Sequence, residues 1–225
     1  MVKYQEYICP TAAGFIQQIT YYFSRGYYYY SHSRVGDGKD LLKVDDKITR
    51  LYPVKQDKFH QSRSRKLGHS VMRYLRYGQD FILFATPGSD IGLFSRENNF
   101  DIRKQGLEIL NHHIFVSSFL KKETRESVRK VHVSMAREVY KGLTAWAEEN
   151  AQQKNISGML YNRIFKELNL EPWGGVRKQI FTILKKVNVK RHNNGWETIA
   201  MHVPLRKSVP VWSAAQDTLF PGFQK

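Results

Sequence analysis

KFHQSRSRKLGHSVMRYLRYGQDFILFATPG, residues 58–88, is the stretch whose reading sets the fold. Its second half holds two short runs of strand character: Val71–Tyr77 alternates, and Phe81–Ala85 is almost continuously apolar, with Gly78 between them. Apolar and aromatic residues at period two, interrupted by a glycine, predict a β-hairpin over 70–86. The first half is polar over Ser62–Lys66 and predicts a basic loop feeding that hairpin. Successive strand side chains alternate, so Val71, Arg73, Leu75 and Tyr77 share one face and Met72, Tyr74 and Arg76 the other. Neither set is wholly apolar, and at least one face is therefore expected to be wet.

Between Lys58 and Arg76 lie Lys58, Arg63, Arg65, Lys66, Arg73 and Arg76, with no carboxylate among them, interleaved with Phe59, His60, His69, Tyr74 and Tyr77. Arginine pairs with phosphate bidentately and an aromatic face stacks on an unpaired base, so the mixture points to nucleic acid. The six cations are the candidate phosphate contacts, and Tyr74 and Tyr77 the candidate base contacts. A charge run of this kind is also what an ordinary solvated face looks like.

The whole chain agrees with the polyanion reading. Lys plus Arg is 36 against 20 Asp plus Glu, a formal net charge of +16 over 225 residues, with 41% hydrophobic residues available for a core. Charge of that size speaks about partners rather than about fold. The longest apolar runs are about five residues, against the roughly 20 of a spanning helix, and Met1–Glu6 has no leader character, so a cytoplasmic protein without membrane contact is expected. Single Cys9 permits neither an internal disulfide nor a thiolate zinc site. No metal or cofactor is expected for a binding protein.

In chain order, Tyr4–Ile8 is read as a strand, and Thr11 caps a helix over 12–24 that Gly26 ends. Tyr27–Val35, opening with four consecutive tyrosines, is a strand whose tyrosines must face alternate sides. Leu41, Leu42, Val44 and Ile48 mark a helix over 39–51, and Ile91–Phe94, 103–111 and 113–119 are read as further strands. These elements form an α+β layer ending near 120. Beyond the polar stretch 121–129 come a strand at 131–135, a helix over 137–150, and a helix, turn and helix over 156–168, 169–175 and 176–191. In the last of these Val176, Ile180, Ile183, Leu184 and Val187 share one face.

Segments 196–203 and 208–212 can pair as a hairpin, which completes the layout of a winged helix-turn-helix. Arg177, Lys178 and Lys185 are then the nucleic-acid contacts of a mostly helical domain over 121–212, next to an α+β domain over 1–120 and before a tail at 213–225. Two basic surfaces would allow a structured RNA or a DNA junction to be clamped.

The competing class is an endonuclease. Metal-dependent cleavage needs carboxylates around Mg²⁺, for which the candidates are Asp40 and Asp45, five apart on one helix, and Asp90, Glu97 and Asp101 beyond the hairpin, with Glu97 and Asp101 four apart; metal-free cleavage of RNA needs a histidine beside a cation, for which His60 and His69 are the candidates. Adjacent His112 and His113 point to opposite faces of a strand, which departs from the His-x-His metal motif that accompanies a tyrosine nucleophile such as Tyr140. Arg76–Phe84 resembles, over about nine residues, the hairpin motif of reverse transcriptases. Gln79 stands where that motif carries its first metal-binding Asp, so polymerase activity is rejected. The sequence thus favours a nucleic-acid-binding protein, RNA or DNA, of the kind found as a ribonucleoprotein subunit or mobile-element accessory protein.

Overall fold

The computed structural model describes residues 7–89, 92–120, 127–168 and 173–201. Among them, six α-helices are interspersed with strands in two sheets, an α+β fold. They divide into two compact units: 7–106 with 118–120 and 127–130, and 107–117 with 131–201. The division is interleaved, where a single boundary near 120 was expected.

The first unit opens with α1 (Ala12–Ser24), whose Gly14 N–H donates to Thr11 Oγ1 at 3.0 Å as the N-cap rule requires. Strands β1 (Tyr29–Arg34), β2 (Met72–Tyr77), β3 (Asp80–Ala85) and β4 (Phe100–Asp101) form one antiparallel sheet in the order β2-β3-β1-β4. The hairpin forms where expected. Tyr77 pairs with Asp80, and Gly78 takes a φ of 55°, the left-handed conformation that a two-residue turn demands. Helix α2 (Leu41–Leu51) is capped by Asp40, which accepts from the Leu42 N–H at 3.0 Å.

Both sheet faces are covered, which overturns the expectation of a wet one. On one face Phe23 of α1 meets Tyr30 and Phe84, and Phe15 meets Tyr77. On the other, Ile48, Tyr52 and Val54 pack with Met72, Tyr74, Leu83 and Ala85. Arg76 is buried on that second face because Asp45 of α2, fully buried, pairs with it. A strand pattern containing arginine looks amphipathic only while its counter-ion is unknown.

Two local readings are corrected. The basic stretch is a helix, α3 (Lys58–Lys66), not a loop: Asp57 caps it by accepting from the His60 N–H at 2.8 Å, and Arg63, Arg65 and Lys66 sit in the last turn at the negative end of the helix dipole. It escaped the periodicity test because Gln61 is its only buried residue. Of the strand expected over 91–94, residue 91 lies outside the described residues, and the rest falls in a 3₁₀ turn at Gly92–Arg96. Of the expected first strand, residues 4–6 lie outside the described residues. Tyr7–Cys9 runs beside β2, with Arg76 N–H donating to Tyr7 O at 2.7 Å and Cys9 N–H to Arg76 O at 2.8 Å.

Strands β5 (Leu107–Ile109), β6 (His112–Leu120) and β7 (Ser127–Met135) form a three-stranded sheet with β6 in the middle, of which β5, 112–117 and 131–135 belong to the second unit. Residues 103–106 turn instead of extending the strand expected there. Helices α4 (Arg137–Glu149), α5 (Ile156–Leu168) and α6 (Gly174–Asn193) share a core with Met135, and the five aliphatic residues predicted for α6 are all buried in it. The start of α6 lies so close to β7 that a Cβ on Gly175 would stand 2.3 Å from Val133 O, and Gln179 Oε1 accepts from Met135 N–H at 2.7 Å.

Past α6, Asn188 holds Ile199 through both backbone groups, at 3.0 and 2.9 Å, and residues 196–201 form no strand. The described residues therefore contain no wing. Residues 169–172 of the expected turn over 169–175, residues 202–203 of the expected strand, the segment 208–212 and the tail at 213–225 lie outside them.

Candidate nucleic-acid interface

The arginines of the first unit gather on the tyrosine run that begins β1. The run splits, with Tyr27 and Tyr30 buried. Tyr30 is buried against Phe23 and Phe100, with its hydroxyl donating to Gly106 O at 3.2 Å, whereas Tyr28 and Tyr29 are half-buried. Arg65 of α3 lies 5.4 Å from the Tyr27 ring centroid and donates to its hydroxyl at 2.9 Å. Arg103 lies 4.7 Å from the Tyr28 ring and 5.7 Å from the Tyr29 ring, and Arg129 lies 4.8 Å from the Tyr28 ring and donates to its hydroxyl at 2.8 Å. Arg65, Arg103 and Arg129 are themselves exposed.

A guanidinium held over a ring, and in Arg65 and Arg129 also by a hydrogen bond to that ring's hydroxyl, loses rotamer freedom while its remaining N–H groups stay available to another acceptor. Asp101 fixes Arg103 further through two hydrogen bonds of 2.8 and 2.7 Å, and the same contact holds the Asp101 carboxyl below the usual carboxylate range. Among the described residues Arg65 and Arg129 have no carboxylate partner. At the end of α1, Arg25 over Tyr21 at 5.3 Å repeats the motif.

The contacts expected from sequence divide into three groups. Lys58, Arg63 and Lys66 are exposed on α3, where Phe59 is 87% and Leu67 63% exposed, so Phe59, Arg63, Lys66 and Leu67 make one outward stripe at helical spacing. Tyr74 and Arg76 are inside and joined through Asp45; Tyr77 is half-buried against Phe15 and Arg73 donates to Val54 O at 3.3 Å. In the second unit, Lys178 and Lys185 are exposed on the polar side of α6, whereas Arg177 is partly buried. Lys185 lines a groove of about 460 Å³ with Glu148, Lys186 and Lys190.

The catalytic candidates are not brought into one constellation. His60 Nδ1 lies 2.7 Å from Asp57 Oδ2 at the exposed start of α3, and His69 Nδ1 lies 3.1 Å from Ser89 Oγ beyond its other end. Glu97 accepts from Tyr52 O–H, whose pKa burial and that carboxylate together push to about 12, while Asp101 is occupied by Arg103. Asp90 lies outside the described residues. No group of three or more His, Cys, Asp or Glu suited to a metal ion occurs among the described residues. Cys9 is buried, which pushes its thiol up to about 12, and Tyr140 packs against the helical core.

Sequence reading missed Arg103 and Arg129. The one local signal was the tyrosine run itself, which offers more ring faces than a two-sided strand can bury. Comparison with protein-family models, curated proteins and solved structures gives no match.

Proposed function

We propose that this chain binds nucleic acid, and that Arg65, Arg103 and Arg129 on Tyr27–Tyr29 are the centre of the phosphate-binding surface. The observation that carries the reading is the placement of three exposed arginines over the rings of Tyr27–Tyr29, with Asp101 the one carboxylate paired to them among the described residues. The exposed stripe of α3 supplies further cations beside an aromatic ring, and the +16 net charge draws any polyanion toward the molecule. A ribonucleoprotein subunit or a mobile-element accessory protein, working inside the cell, is the setting such a surface suits.

Binding without cleavage is the expected chemistry. Labelled single- and double-stranded RNA and DNA, incubated with the protein and Mg²⁺ or Mn²⁺ at low salt, should be retarded on a gel, freed by high salt, and recovered intact. Absence of any retarded species would refute the proposal. Cutting that Glu97→Gln or Asp101→Asn abolishes would replace it with a metal-dependent nuclease, and cutting in EDTA that needs His60 or His69 would replace it with a metal-free one.

A further inference from the structure

Helix α3 is packed along one narrow side. Gln61 is its one buried residue and donates to Gln56 O, and one turn later Arg65 reaches Tyr27. The opposite side, at helical spacing, carries Phe59, Ser62, Arg63 and Lys66, all exposed. Phe59 is 87% exposed, the highest value of any large apolar side chain among the described residues, so its ring stands clear of the protein.

The formal charge around that ring is of one sign. From Lys55 to Gln79 the one acidic residue is Asp57, and its carboxylate is taken up at the start of α3 by the His60 N–H at 2.8 Å and the His60 ring at 2.7 Å. Arg63 and Lys66 lie about 6 and about 10.5 Å beyond Phe59 along the helix axis, so a strand running along α3 from the ring meets both cations. A lipid surface calls for a broad apolar face, whereas here Arg63 and Lys66 stand between Phe59 and Leu67. A phenyl ring has no polar atom with which to read a base edge, and in a duplex groove the thymine methyl is its apolar contact. An unpaired base offers its whole π-face.

Building on the nucleic-acid-binding reading, we infer that Phe59 stacks on an unpaired base while Arg63 and Lys66 hold the phosphates beside it, so that the ligand is single-stranded along α3. Stacking releases no counterions, so the ring and the cations leave separable signatures.

The test compares a fluorescent single-stranded oligonucleotide with an abasic strand of the same length, measured by anisotropy with the full chain. Phe59→Ala should weaken binding of the base-bearing strand about tenfold and leave binding of the abasic strand, the salt slope and the melting temperature unchanged. Phe59→Trp should bind both strands at least as well as the parent. Arg63→Ala with Lys66→Ala should weaken both strands and make the slope shallower by about 1.4. Parent-like affinity of Phe59→Ala for the base-bearing strand, an equal loss on both strands, or an unchanged slope in the double variant overturns the inference while leaving the proposed function intact. Parent-like strand binding by Phe59→Ala together with lost binding to phosphatidylserine vesicles would assign the stripe to a membrane surface instead. If the parent binds neither strand, the proposed function falls and this site with it.

Discussion

Asp45→Ala should destabilise the first unit by about 3–5 kcal/mol, the largest loss expected from any single substitution there. Its carboxylate takes three hydrogen bonds from Arg76, at 2.8, 3.1 and 2.8 Å, and one of 2.6 Å from Tyr74 O–H. Asp45 is fully buried and Arg76 is 6% exposed, so alanine leaves a guanidinium in the core with only the Gly78 carbonyl, at 2.8 Å, still accepting from it. Burial, and then the Asp45 carboxylate, hold the pKa of Tyr74 far above the usual phenol range, so in the parent Tyr74 is the neutral donor to Asp45. Urea denaturation measures the loss. Removing both charges in Asp45→Leu with Arg76→Met should cost much less than Asp45→Ala, because it is the unpaired cation that is expensive. A loss below about 1 kcal/mol in the single variant would mean that water reaches Arg76.

The second large effect belongs to the helical unit. Ile180 is 1% exposed among Val176, Ile183, Leu184 and Val187, and the α6 charges Lys178 and Lys185 lie on the opposite side. Ile180→Asp places a carboxylate among aliphatic side chains. The cost should exceed about 4 kcal/mol, enough to unfold this unit. Loss of near-UV circular dichroism from Trp146, Trp173 and Trp196, with new protease cleavage within α4 to α6, would record it. Lys178→Glu with Lys185→Glu is the control and should leave the melting temperature nearly unchanged, since exposed charges contribute little to stability. A folded Ile180→Asp protein with parent-like dichroism would contradict the assigned core.

What could be read from sequence followed from how local each determinant is. Thr11 before an apolar run, Gly78 between two strand-like runs, and five aliphatic residues at helical spacing each act within a few residues, and α1, the β2–β3 hairpin and α6 appear where they were expected. Helix α3 did not, because it has a cap and favourable end charges but no apolar stripe for periodicity to detect. The sides of the hairpin were misjudged because the counter-ion of Arg76 lies 31 residues earlier in the chain. The arginine–tyrosine cluster had no sequence signature beyond its tyrosines, with Arg129 lying 101 residues from Tyr28. His112 and His113 were correctly assigned to opposite faces. His112, bonded to Leu110 O at 2.7 Å, is buried, and that burial holds its imidazole pKa below the usual range.

The measurement that bears most directly on phosphate binding at Tyr27–Tyr29 is the salt dependence of affinity for a single strand, from about 50 to about 200 mM salt, for the parent and for Arg65→Ala/Arg103→Ala/Arg129→Ala. Each phosphate contact on a single strand contributes about 0.7 to the slope of log K against log salt, so the triple variant should bind more weakly with a slope shallower by about 2. Its melting temperature should stay close to the parent's, because the three guanidiniums are exposed. Identical slopes and affinities for the two proteins would contradict the assignment of these arginines to the phosphate backbone.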